Sequence, residues 1–138
     1  MTGLLRNVVV GALALAVPVV SVAGDYNIDV SHSEVLFRVK HLGISKVTGG
    51  FTMFEGSFQF DPADFSKTKA MLTIDPSSVD TGNEKRDEHL RSGDFFDVAK
   101  FPEMTFVSTK VTDITDDSFH LHGDLTMHGV TKPVVLEV

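Results

Sequence analysis

From Phe119 to His128 the side chains alternate without a fault. Phe119, Leu121, Gly123, Leu125 and Met127 share one parity, and His120, His122, Asp124, Thr126 and His128 share the other. Successive side chains of an extended strand point to opposite faces, so this run specifies a strand with one oily face and one wet face. Such a strand is stable only in a sheet whose apolar face is covered. The pattern recurs. Val35, Phe37 and Val39 share a face within Glu34 to Lys40, and Ala70, Leu72 and Ile74 share one within Lys69 to Ile74. Further strands are expected at Tyr26 to Val30, Met104 to Val111, Ser118 to Met127 and Thr131 to Val138, with a turn or a single helical turn at His41 to Ser45. Val47 to Phe60 is long for one strand. Phe54, Gly56, Phe58 and Phe60 have the opposite parity to Phe51 and Met53, so a bulge or sharp bend is expected between Gly49 and Phe54.

One helix interrupts the strands. Asn83 to Arg91 is highly charged, offers Asp87 and Arg91 at a spacing of four, and has Leu90 as its lone strong apolar anchor. Glu84, Lys85, Arg86, Asp87 and Glu88 read as its solvated face. Ser92-Gly93 ends the helix, and four aromatics follow within a dozen residues. Phe95 and Phe96, side by side, cannot both be solvated cheaply, so this connection is expected to lie over apolar surface.

Composition narrows the function. The chain has 138 residues, enough for one domain, with a formal charge of −7. That acidity argues against nucleic acid and against docking on anionic lipid. No cysteine is present, which removes disulfides, thiolate chemistry and cysteine-ligated zinc. Residues 1–23 read as a cleaved export signal. Arg6 supplies the positive start, Val8 to Val20 the apolar run, and Ser21-Val22-Ala23 a small-x-small cleavage site before Gly24. The run is shorter than the ~20 residues a spanning helix needs, and Pro18 breaks its end, so no stable membrane anchor is expected. The expected compartment is the periplasm.

At the other end, Pro133 to Val138 is a strand in full course with no turn, cap or charged tail after it. An unpartnered apolar edge invites unwanted pairing. About seven strands are present where a small ligand-holding barrel uses about eight. Residues 24–138 are therefore expected to form one barrel domain that lacks its last strand or strands. Closure with fewer strands, or by pairing with a second copy in a homodimer, are the other solutions. The fold class is mainly β, an antiparallel barrel or sandwich with one short helix.

The block from Arg86 through Ser92-Gly93-Asp94-Phe95-Phe96-Asp97 to Phe101-Pro102-Glu103-Met104-Thr105-Phe106 resembles the signature of the YceI-like family. So does Gly123-Asp124-Leu125-Thr126-Met127-His128-Gly129-Val130-Thr131-Lys132-Pro133-Val134. The openings Tyr26-x-Ile28-Asp29-x-x-His32-Ser33 and Val39-x-His41-Leu42-Gly43 are similar too. The resemblance implies a lipocalin-like extended antiparallel barrel of about eight strands. It also implies a polyisoprenoid lipid, such as the tail of an isoprenoid quinone, held in the interior without catalysis. Domains of that family run on for several tens of residues past the Thr-Lys-Pro-Val motif.

The residues themselves suit such a guest. Each buried methylene contributes ~0.8 kcal/mol, so an isoprenoid tail needs little beyond a narrow apolar lining. Eleven Phe, one Tyr and no Trp make few hydrogen-bonding demands. The inward-parity candidates are Val35, Phe37, Val39, Phe58, Phe60, Leu72, Ile74, Phe106, Phe119, Leu121 and Leu125. Plain core packing is their other role. Polar constellations are sparse. His120, His122 and Asp124 share a strand face and are the best metal candidate, against the simpler account of a solvated stripe. His32 and His41 sit beside turns and read as loop hydrogen-bonding groups. There is no Gly-x-Ser-x-Gly elbow, phosphate loop or dinucleotide fingerprint, so no enzyme activity and no cofactor are expected. An interaction module pairing through an exposed strand edge is a further alternative.

Overall fold

A computed structural model describes residues 23–41 and 45–138. The expected export signal, apart from Ala23, and residues 42–44 of the turn expected at His41 to Ser45 lie outside the described residues. The described residues form nine strands: β1 Gly24–Asn27, β2 Val35–His41, β3 Ser45–Phe51, β4 Phe54–Phe60, β5 Lys69–Ile74, β6 Val79–Asp80, β7 Met104–Thr112, β8 His120–Met127 and β9 Val130–Glu137. One helix, α1, spans Glu84–Arg91. The strands form two antiparallel sheets, a larger one ordered β1-β4-β5-β7-β8-β9 and a smaller one ordered β2-β3-β6. Neither closes on itself among the described residues. The class is mainly β and antiparallel, as the alternation implies.

The run Val47 to Phe60 is two strands in two different sheets, not one bent strand. Its bridge, Thr52-Met53, leaves the sheet ladders. The Thr52 N–H donates to the Ser78 carbonyl (3.2 Å), and the Met53 N–H donates to the Ser78 hydroxyl (3.0 Å). Each sheet must turn its apolar parity toward the shared interior, so crossing between them reverses the parity. Phe51 faces inward from β3, and Phe54 does so from β4.

Two other boundaries move for local reasons. Tyr26 to Val30 does not continue as a strand, because Asp29 accepts from the Ser31 N–H (3.0 Å) and meets the His32 ring (2.7 Å). That side-chain capture winds Val30–His32 into a single 3-10 turn. At the other hairpin, Met127 pairs with Val130 across a two-residue turn. His128 and Gly129 have φ of 52° and 70°, the left-handed pair that a type I′ turn requires. His128 therefore belongs to a turn and not to the wet stripe of β8.

The helix is held by polar groups, of which Asp87 is buried and Arg86 and Arg91 half-buried. Asn83 caps it, accepting from the Arg86 N–H (3.1 Å). Asp87, expected on the solvated face, is only 4% exposed. It accepts from the Thr81 N–H (3.1 Å) and from the Thr81 hydroxyl. Arg86 donates to the Thr81 hydroxyl (2.7 Å) and carbonyl (2.8 Å). Arg91 does not pair with Asp87. It donates to the carbonyls of Ser77 (2.8 Å) and Val79 (3.2 Å) and meets Glu84 (3.3 Å). The helix is thus clamped to β6 and the turn before it, which sets Leu90 and Phe96 against the core.

Removing the Asp87 carboxylate strands the Thr81 N–H in a buried site. Asp87→Ala is expected to cost about 1–3 kcal/mol in urea unfolding. Glu88→Ala, on the exposed side of the same helix, should stay within about 0.5 kcal/mol.

Candidate functional site

The apolar faces gather into two clusters. The first is built from Phe51, Ile74, Val79 and Met104, with Val35, Phe37, Phe54, Leu72, Leu90 and Phe96 packed around them. It draws on both sheets and is filled by rings: Phe51 meets Phe37 at 5.5 Å and Phe96 edge-on at 5.6 Å. The second is built from Phe106, Phe119 and Leu121, surrounded by Phe60, Phe65, Ala70, Leu72, Val111, Leu125 and Val134. All of these belong to the larger sheet or its connections. Among the described residues, none of β2, β3 or β6 enters it. Leu72 touches both clusters and makes the interior continuous.

Nine of the eleven candidates lie in or against these clusters: Val35, Phe37, Phe60, Leu72, Ile74, Phe106, Phe119, Leu121 and Leu125. Two do not. Val39 is 53% exposed, because β2 carries its apolar face beyond the part of the molecule that covers Val35 and Phe37. Phe58 is half-buried and stacks on Tyr26, its cross-strand partner, at 5.1 Å. Phe65 is an addition that strand periodicity could not supply, since it sits in a 3-10 turn. Asp64 caps that turn, and Phe65 reaches Phe60 at 5.5 Å and Phe119 at 5.4 Å. Of the adjacent pair, Phe96 is covered, whereas Phe95 is 48% exposed and meets only the His89 ring edge-on at 4.9 Å.

Two backbone features shape the second cluster. β7 carries an extra residue at Thr109: Ser108 faces Gly123, and Lys110 faces His122. Gly123 is buried beneath the Phe106 ring, where a Cβ would collide with the ring and with the Val107 carbonyl. The glycine in the alternating run of β8 is therefore the seat of an aromatic ring from β7.

The polar face of β8 does not converge on one point. His120 Nδ1 meets Asp113 at 2.9 Å, and His122 Nε2 meets the Thr112 hydroxyl at 2.8 Å, while Asp124 stays exposed. Hydrogen bonds from Thr112 and then from His120 hold the Asp113 carboxyl below its ordinary value of 3.8. Among the described residues, no group of three or more His, Asp or Glu could hold a metal ion. His120 and His122 are instead joined in one hydrogen-bonded row through Asp113 and Thr112, whose hydroxyl donates to the Asp113 carboxylate (2.8 Å), and Asp124 stands exposed beside it. His32 bonds Asp29 in its turn, as a loop histidine would; the His41 side chain lies outside the described residues. Three surface hollows of about 480, 450 and 530 Å³ hold only Phe58 of the eleven candidates and carry polar groups such as Lys69, Glu55 and Asp75. Among the described residues, no helix is long and apolar enough to cross a membrane.

The YceI-like domain matches residues 26–138. The chain belongs to the YceI-like family. Protein YceI of Escherichia coli O17:K52:H18 is 49% identical over 119 residues, which is 85% of this chain and 62% of that protein. The chain thus spans somewhat under two thirds of this YceI relative. BcnA of Burkholderia cenocepacia has a similar structure, with a TM-score of 0.75 and 29% identity, over 80% of this chain and 69% of that one. A polyisoprenoid binding domain from Saccharophagus degradans gives a TM-score of 0.50 at 20% identity over 75% of this chain and 58% of that one, a likeness of fold alone. Among the described residues of this YceI-like fold, the second cluster is lined by one sheet and its connections.

Gly123→Val should be expensive because its side chain must displace the Phe106 ring: about 1–3 kcal/mol by thermal unfolding. In a Phe106→Ala background the clash with the ring is removed and that with the Val107 carbonyl remains, so the same substitution should cost less but not nothing, and a double-mutant cycle checks the coupling.

Proposed function

We propose that the protein is an exported, non-catalytic carrier or reservoir that holds a polyisoprenoid, such as the tail of an isoprenoid quinone, against the second cluster. The observation behind this reading is one-sidedness. The first cluster is closed by two sheets and a helix and serves as core. The second is an aromatic and aliphatic face of a single sheet, with a half-buried rim formed by Phe60, Leu72, Leu125 and Val134. A flexible hydrocarbon chain laid along that rim exchanges water for apolar contact over its whole length, at ~0.8 kcal/mol per methylene. Tail length and shape then set selectivity. Family membership and the polyisoprenoid binding domain with a similar fold support the same reading. The Arg6-led apolar run ahead of Gly24 supports export to the periplasm.

Organic extraction of the purified protein followed by mass spectrometry is expected to yield a polyisoprenoid; a lipid-free extract would contradict the proposal. Leu125→Arg puts a charge on the apolar rim and should lower copurifying isoprenoid by more than about tenfold. Asp124→Arg, on the opposite face of β8, should leave it unchanged. Amino-terminal sequencing of the periplasmic fraction should begin at Gly24, and retention of residues 1–23 in the cytoplasm would contradict export.

A second reading has an observation of its own. β9 pairs with β8 alone, and Val130, Val135, Leu136 and Val138 along it are exposed. Such an edge suits pairing with another strand. Light scattering should then give a dimer that dissociates when Val135 is replaced by Lys; a monomer at all concentrations would contradict it.

A further inference from the structure

One polar group in this oily interior has nothing to bond. Thr68 is only 8% exposed, and its hydroxyl has no hydrogen-bond partner; among the described residues it is the one buried side-chain nitrogen or oxygen in that position. The surrounding backbone is satisfied: the Thr68 N–H donates to the Phe65 carbonyl (3.0 Å), and the Ala70 N–H donates to the Ser108 hydroxyl (2.8 Å). Thr68 has extended backbone angles (φ −60°, ψ 130°), so it carries the parity of Ala70, Leu72 and Ile74, the inward stripe of β5. Along the chain it is flanked by Phe65 and Ala70, both packed on the second cluster. Thr68 therefore shares the parity of the face to which the guest is assigned and adjoins it along the chain. A buried hydroxyl without a partner is costly, and native proteins rarely leave one so unless something else fills the gap.

We propose that Thr68 determines specificity in the interior site, its hydroxyl donating to an oxygen of the bound isoprenoid. The site then selects an oxygen-bearing polyisoprenoid, an alcohol or a ring carbonyl, over a bare hydrocarbon of equal length. The inference rests on the carrier reading above. The physical basis is asymmetry: a hydrocarbon gains the same apolar contacts but leaves the hydroxyl unpaired, whereas an oxygenated guest satisfies it.

Displacement of a fluorescent apolar probe by three competitors tests this: geranylgeraniol, a quinone with a four-isoprene tail, and the deoxygenated hydrocarbon of the same length. The wild-type protein should bind at least one oxygenated competitor about tenfold more tightly than the hydrocarbon, the scale of one hydrogen bond. Which one it prefers separates the alcohol from the carbonyl. Thr68→Val should bind all three alike while keeping its affinity for the hydrocarbon, and Thr68→Ser should restore the preference. A preference that survives in Thr68→Val overturns the proposal, as does an equal loss for all competitors. A ligand-free Thr68→Val protein should melt no lower than wild type; a lower melting point would mean that the hydroxyl holds an internal water, and would also overturn it. Failure of the wild-type protein to bind any competitor would instead sink the carrier reading, and this inference with it.

Discussion

A sheet with one oily face must find cover for it, and nearly every feature of this molecule follows from that demand. The inward stripes of β4, β5, β7 and β8 are built mainly of phenylalanine, leucine, isoleucine and methionine, with small residues such as Gly56, Ala70 and Gly123 between them. The smaller sheet covers one half of them. Its Phe51 and Val79 meet Ile74 and Met104 to make a filled core. The other half, around Phe106, Phe119 and Leu121, finds cover only from its own sheet and from Phe65. The same physics thus produces both a structural core and a face suited to a guest, separated only by which strands lie opposite.

The polar groups of the helix and of β8 serve this arrangement. Asp87, Arg86 and Arg91 spend their hydrogen bonds on Thr81, Ser77 and Val79, and so fix the helix that carries Leu90 into the core. Buried charges of this kind are tolerated when every donor and acceptor is matched. The histidines at the start of β8 bond Asp113 and Thr112 at the end of the β7–β8 hairpin where the connecting loop begins. Each of these polar elements is local and engaged; among the described residues the Thr68 hydroxyl is the buried side-chain oxygen left without a partner.

Much of this was legible in the sequence because strand periodicity is a strong signal. The alternation of Phe119 to Leu125 foretold which side chains of β8 are buried, and that of Ala70 to Ile74 did the same for β5. The misreadings have specific causes. Val47 to Phe60 looked like one bent strand because a parity reversal marks a bulge and a sheet crossing equally well. Asp87 looked solvated because a charge run on a short helix usually is; its partner Thr81 lies before the helix, where helical spacing says nothing. His128-Gly129 could have been recognised as a hairpin turn, since a residue followed by glycine between two alternating runs is the usual type I′ signal. Phe65 was invisible to period-two reasoning because it projects from a turn. Val39 had the right parity but the wrong neighbours, and parity alone cannot tell where the covering sheet stops.

Photo-crosslinking with a diazirine-bearing polyisoprenoid, mapped by peptide mass spectrometry, tests most directly where the guest lies. Label should concentrate on the inward-parity residues of β5, β7 and β8 and on the Phe60–Phe65 segment. Label confined to the wet face of β8 or to the surface around Lys69 and Glu55 would contradict an interior binding face.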